Sequence, residues 1–282
     1  MSVAVAVETA REPGAIRPPS RPSGRWTRFI LPTYTGVVMF YLVLPILIMI
    51  IYGFNASGPK RVSFRWLGFS LYGYTHLFAK PDLTQSLKNS LFIGVVSTII
   101  ATILGTLIAL ALVRYRYRGR AASEFVLFLN ISAPEIVLGA SLLSLFITFG
   151  VPRGILTIVI AHVMFNIAYV AVTVRARLAG FDRALEEAAQ DLGANPWTTF
   201  FRVTLPLIWP GVLAGALLAF ALSIDDFVIT NFNAGSVQTF PLWVYGAVKV
   251  GIPPQVFVMG TLIFMGGVVV AIINILVQRR RV

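Results

Sequence analysis

Stretches without a single Asp, Glu, Lys or Arg divide the chain: residues 29–59, 89–113, 136–152, 154–174, 203–224 and 250–278 carry none. A helix rises about 1.5 Å per residue, so roughly 20 apolar residues cross a hydrocarbon core of about 30 Å. Backbone groups inside lipid must be satisfied within their own segment, so each such run is expected as a helix. Extended into the charged flanks, the pattern predicts six spans, at 29–52, 89–113, 124–149, 154–174, 207–229 and 256–277. The expected fold class is all-α, an integral membrane protein with six transmembrane helices.

The connections are unequal. Only Gly150 to Arg153 separate the third and fourth spans, whereas residues 175–206 separate the fourth and fifth. Small residues recur every four positions at Ala101, Gly105 and Ala109 and again at Gly211, Gly215 and Ala219. Such stripes let helix backbones approach closely, either within one bundle or at a subunit interface.

Composition agrees with the pattern. Hydrophobic residues make up 57% of the 282 and charged residues only 12%, with a mean hydropathy of +0.82, too apolar for a water-soluble domain. The net charge of +12 could mark a nucleic-acid surface, but its distribution argues otherwise. With the N-terminus inside, the inner segments hold Arg11, Arg17, Arg21, Arg25, Arg28, Arg114, Arg116, Arg118, Arg120, Arg175, Arg177, Arg183, Arg202, Arg279, Arg280 and Arg281. The outer ones hold only Lys60, Arg61, Arg65, Lys80, Lys88, Arg153 and Lys249. By the positive-inside rule both termini are cytoplasmic, which accounts for the basic balance without nucleic acid.

Residues 1–28, with five arginines and four prolines, cannot bury a core and are expected as a basic cytoplasmic tail. The first apolar stretch begins only at Phe29 and is long enough to span, unlike the core of a cleavable signal peptide. Residues 29–282 then form the transmembrane domain.

Cysteine is absent, and His76 and His162 lie far apart, so no metal site is expected. No Gly-x-x-x-x-Gly-Lys-Ser/Thr phosphate loop occurs. No set of nucleophile, base and orienting residue is visible either, so neither a cofactor nor catalysis is expected of this chain.

The long inner connection reads Leu185-Glu186-Glu187-Ala188-Ala189-Gln190-Asp191-Leu192-Gly193-Ala194-Asn195-Pro196, then Trp197 and Val203-Thr204-Leu205-Pro206. Residues 182–192 favour a helix with acids in its first turn, and Gly193 suits a C-cap needing positive φ. Asn195 fits an N-cap and Pro196 the first position of a second helix. Two readings follow: a rigid bent peg for another protein's groove, or an amphipathic connector on the membrane surface.

This segment resembles the EAA motif of binding-protein-dependent (MetI-like) ABC importer permeases: Glu-Ala-Ala, three residues, Gly, nine residues, then Ile-x-Leu-Pro. Glu187, Ala188, Ala189, Gly193, Leu205 and Pro206 match it in type and spacing, and Val203 replaces the isoleucine. The resemblance covers about residues 87–277 and includes Ser86-Leu87-Lys88-Asn89-Ser90-Leu91. It implies that residues 182–206 form a coupling helix seated on an ATP-binding subunit dimer. It further implies a second, different permease subunit, an extracytoplasmic solute-binding protein and a bacterial plasma membrane location. Pro134-Glu135-Ile136-Val137-Leu138-Gly139 and Ser223-Ile224-Asp225-Asp226-Phe227-Val228 resemble the second permease subunit of spermidine/putrescine importers. That resemblance implies a polyamine substrate, with amino acids or phosphonates as alternatives.

An acid at the centre of a span costs roughly 2.5–3.5 kcal/mol on insertion scales. Counted at about 1.5 Å per residue from Ser123, Glu135 falls near mid-membrane. It either lines a substrate pathway or pairs with Asn166 or His162. Asp225 and Asp226 fall near the outer boundary, as cation-attracting groups or as solvated loop acids. Adjacent helical residues diverge by roughly 100°, so only one of the pair can face a pathway squarely. Phe240, Trp243 and Tyr245 on the outer side are read as interfacial belt anchors or as part of a docking surface. An ion-coupled secondary transporter using Glu135 is the rival from another class. It leaves the register from Glu187 to Pro206 without explanation.

Overall fold

Where charge is missing, helix follows. The computed structural model of the chain describes residues 27–56 and 65–279; residues 1–26 of the expected basic tail and Arg280 and Arg281 lie outside the described residues, and Thr27 and Arg28, its last two, open the first helix. The chain divides into two compact units, Met1–Ile48 and Met49–Val282. Helix α1 (Thr27–Gly53) carries Pro32 and Pro45 within an apolar run. The second unit holds α2 (Tyr72–Thr75), α3 (Pro81–Arg114), α4 (Arg120–Ser132), α5 (Glu135–Thr148), α6 (Ile155–Leu178), α7 (Ala184–Asp191) and α8 (Pro196–Thr199). A π-turn (Phe200–Thr204), α9 (Leu205–Asp225), α10 (Val228–Asn233), α11 (Phe240–Val250) and α12 (Pro254–Arg279) complete it.

Among the described residues, five helical stretches are long and apolar enough to cross a membrane: Phe29–Gly53, Pro81–Arg114, Ile155–Leu178, Pro196–Asp225 and Pro254–Asn274. The third predicted span, 124–149, is not continuous. It is α4 followed by α5, bent by 109°. The cause is local: Pro134 has no amide hydrogen to donate, and the residue before a proline avoids the helical region. Ala133 is accordingly extended, at φ −71° and ψ 137°. Glu135 therefore opens a new helix, and a depth counted along one straight axis does not apply to it.

The second span starts earlier than predicted, because Pro81 takes the first helical position and Thr84 and Ser86 bond back to the carbonyls of Lys80 and Asp82. The fifth span is displaced at both ends. Helical structure begins at Pro196 and runs through the π-turn, and it stops at Asp225 rather than 229 because Asp226 is extended, at φ −62° and ψ 122°.

The small-residue stripes pack inside the chain. Ala101 and Ala109 of α3 and Ala219 of α9 are fully buried. A methyl group at Gly105 would lie 2.7 Å from Val170 Cβ, and one at Gly211 would lie 2.6 Å from Arg177 Cβ. Both are closer than carbon atoms tolerate, so α3 and α9 each press their glycines onto α6. Ala109, Val170, Val174, Ile208 and Val212 fill this contact. A second cluster joins α5, α6 and α10 through Leu142, Phe146, Ala161, Phe165 and Ile229.

The segment expected to carry belt aromatics forms a helix of its own, with Phe240 and Trp243 half-buried and Tyr245 exposed. Thr239 precedes α11, Pro241 sits in its first turn and Gly251 ends it. Phe240 and Trp243 pack on Leu83, Val256 and Met259, which removes part of their apolar surface from the surroundings.

Candidate coupling corner and membrane acids

The corner between α6 and α9 is built by local rules. Asp182 Oδ1 accepts the Ala184 amide at 3.0 Å, and Glu186 and Glu187 occupy the first turn of α7, where carboxylates meet the positive end of the helix dipole. Gly193 has φ +86° and open space around it. It reverses the chain while the amides of Gly193 and Ala194 donate to the carbonyls of Gln190 and Ala189 at 2.8 and 3.0 Å. Asn195 Oδ1 accepts the Thr198 amide at 2.8 Å and Pro196 begins α8. The predicted helix, glycine corner and proline restart are all present.

Glu187, Ala188, Gly193 and Pro206 are exposed, and Ala189 and Leu205 half-buried. The tip is also strongly apolar. Leu192 is 90% exposed and Trp197 74%, with Trp197 stacked on Phe201 at 6.1 Å between ring centroids. Large apolar groups held this far out of a fold suit a surface that meets a partner protein or the membrane.

One residue of the corner goes the other way. Glu186 is the buried residue of α7. Its Oε1 accepts from Arg114 Nη2 at the end of α3 and from Thr204 Oγ1 at the end of the π-turn. Sequence reasoning passes over it because two adjacent acids look alike on paper. The helical divergence of roughly 100° requires that they face different surroundings, but not which faces inward.

The three membrane acids part company. Glu135 is exposed at the start of α5, and the structure brings it to neither partner considered for it. His162 is engaged elsewhere, and Asn166 is fully buried with both amide atoms unpaired among the described residues. Asp226 is 9% exposed. Its Oδ2 accepts from Thr230 Oγ1 at 2.5 Å and the Thr230 amide at 2.7 Å, and lies 3.2 Å from His162 Nε2. Its Oδ1 accepts the Ile229 amide at 3.3 Å. This side chain serves the free amides at the start of α10 while holding α6.

His162 Nδ1 lies 2.6 Å from Ser223 Oγ, itself 3.1 Å from Ser97 Oγ. Ser223, His162 and Asp226 thus share the order of a hydrolytic triad. Ser223 is buried, however, and none of the three lines either of the two grooves described in the chain. The arrangement is a bolt between α3, α6, α9 and α10.

Asp225 faces outward instead. Among the described residues it is the one charged group lining a groove of about 1400 Å³ walled by α9, α11 and α12, with Leu91, Phe220, Phe227 and Tyr245 among its neighbours. The Phe227 and Tyr245 rings lie 4.7 Å apart, and the Nζ of Lys249 stands 5.2 Å from the Tyr245 ring centre. A carboxylate beside aromatic faces suits a cation. No group of three or more His, Asp or Glu side chains among the described residues could hold a metal ion.

Comparison with known proteins places this architecture. The spermidine/putrescine transport system permease proteins PotC of Haemophilus influenzae and Escherichia coli are each 38% identical over 253 residues, 89% of this chain and 97% and 95% of theirs. The putrescine transport system permease protein PotI of Escherichia coli is 41% identical over 231 residues, 79% of this chain and 81% of its own. Among solved structures, a bacterial ABC transporter involved in import of the acidic polysaccharide alginate superposes with a TM-score of 0.64 at 22% identity, over 93% of this chain and 99% of that one. The MetNI methionine ABC transporter gives 0.54 at 15% identity, over 73% and 97%. These two likenesses speak for the fold alone. A family model described as binding-protein-dependent transport system inner membrane component matches residues 101–282, and the chain belongs to that family.

Proposed function

We propose that this chain supplies half of the membrane pathway of an ATP-driven importer for polyamines. The observation that carries the class is the exposed corner around Gly193, whose register from Glu187 to Pro206 coincides with its apolar tip. The substrate reading rests on identities of 38–41% to permeases named for spermidine and putrescine. Its sign is supported by the lone carboxylate of Asp225 in an apolar, aromatic groove.

In this reading a dimer of ATP-binding subunits receives Leu192, Trp197 and the Glu187 face of α7. A second, different permease subunit completes the pathway, and a solute-binding protein delivers substrate at the outer side. Both termini lie in the cytoplasm of a bacterial cell. Closure of the ATPase dimer displaces the corner, and α9, continuous from the π-turn to Asp225, carries the displacement across the membrane to expose the pathway to one side and then the other. Glu135, Asp225 and the buried Asp226 are the acids assigned to the pathway, the last as the group that fixes its shape.

Affinity purification from bacterial membranes, followed by uptake of labelled spermidine and putrescine into proteoliposomes, tests the proposal. The expected result is co-purification of an ATP-binding subunit and a second permease, with ATP-dependent uptake of both amines. Uptake driven by a proton gradient through the isolated chain would overturn it in favour of a secondary transporter.

A further inference from the structure

We infer that Glu186 is the joint through which movement of α7 reaches the membrane bundle, a positioning residue that locks the coupling helix, α3 and α9 into one rigid body. The inference rests on the reading of the corner as an ATPase-docking element.

The backbone links of α7 are poor transmitters. Gly180 stands in the connection from α6, and Gly193, at positive φ with nothing within 4 Å, in the connection to α8. Beyond α8 comes a π-turn, a geometry that recurs at functional sites and departs from the regular hydrogen-bond ladder. Force applied to α7 would be lost at the two flanking glycines if the backbone alone carried it.

The Glu186 carboxylate bypasses them. One oxygen receives Arg114, the last residue of α3, and Thr204, the last residue of the π-turn, and Arg114 Nη2 also lies 3.4 Å from Thr204 Oγ1. The three groups close a triangle among α7, α3 and the root of α9. The same two long helices are pinned again where Ser97 Oγ meets Ser223 Oγ at 3.1 Å. From Arg114 back to Ser97 is about 25 Å along α3, and from Thr204 to Ser223 about 28 Å along α9. Between the pins both helices press small residues onto α6. Two helices fastened at points so far apart neither slide nor twist independently, so a displacement of α7 moves both. Adjacent acids therefore divide the labour: Glu187 faces the partner and Glu186 faces the machine.

The test uses the full complex in proteoliposomes and reads putrescine imported per ATP hydrolysed, together with the amount of ATP-binding subunit retained. Glu186→Ala is expected to retain that subunit and lower the import ratio by about tenfold, within the range of coupling between distant sites. Glu186→Gln, which keeps the Thr204 contact and loses the charge, should lie between. The exchange Arg114→Glu with Glu186→Arg should recover part of the loss, a rescue that a general packing defect would not show. Where Glu186→Ala fails to accumulate, Thr204→Val removes one arm without stripping a charge and is expected to lower the same ratio several-fold. An unchanged ratio in the accumulating variant overturns the inference, and so does loss of the ATP-binding subunit in step with import, which would make Glu186 a docking residue. A wild-type complex lacking an ATP-binding subunit would instead overturn the reading of the corner itself.

Discussion

The two ends of α9 solve the same problem with different parts. At the end beside the corner, the inner one in the proposed orientation, Glu186 and Glu187 are neighbours, and at the opposite, outer end so are Asp225 and Asp226. In each pair one acid is buried in a network and the other is exposed. The inner network closes on an arginine, whose charge is permanent, and ties a surface helix to the bundle. The outer one closes on a histidine and two backbone amides and holds a helix break open. Under the proposed function the buried acid of each pair is an anchor and the exposed one a contact, and burial separates the roles where charge cannot.

Substitutions can break this symmetry in a definite order. The largest effect is expected at Asp226: replacement by alanine leaves His162, Thr230 and the α10 amides buried without their acceptor. Each buried donor left without its acceptor costs roughly 1–3 kcal/mol and several are orphaned at once, so thermal unfolding of the purified chain in detergent should show a marked loss of stability. A variant with an unchanged midpoint would mean that Asp226 is no anchor.

Next comes Glu187→Arg. The exposed acid bears no described contact in the chain, so unfolding should be unaffected while the ATP-binding subunit is retained about tenfold less tightly, the scale of a charge reversal at an interface. Equal retention of wild type and variant in pull-down would contradict the assignment of faces in α7.

Asp225→Asn should be milder still. One carboxylate in a partly solvated groove attracts a cation by about 1 kcal/mol, so the KM for putrescine should rise on the order of fivefold at an unchanged unfolding midpoint. Should Asp225→Asn unfold earlier and Asp226→Asn not, the outer roles would be reversed.

Smallest is Gly193→Ala, where a side chain at φ +86° meets backbone strain but open space. A cost of about 1 kcal/mol confined to the corner is expected, visible as faster amide hydrogen exchange in residues 190–196 with the bundle unaffected.

Much of this molecule is readable from its residues. The spans follow charge-free runs because lipid penalises charge wherever the chain goes. The coupling corner follows Asn195, Pro196 and Gly193, whose effects reach only a few residues. Thr239, Pro241 and Gly251 are equally plain signals for α11, yet an apolar run too short to span reads as a connection with interfacial aromatics. The break after Asp225 carries no such sign, having neither proline nor glycine. It depends on His162, 64 positions away, receiving the Asp226 side chain.

The sequence by itself therefore determined the class of protein, the five continuous apolar stretches and the turn chemistry of the corner, since hydropathy, capping and turn preferences act locally. Tertiary structure alone decided which acid of each pair is buried, that a proline in the third span turns the chain by 109°, and that the glycine stripes belong to the bundle. Those outcomes depend on groups distant along the chain arriving at hydrogen-bonding or van der Waals distance, which no local preference encodes.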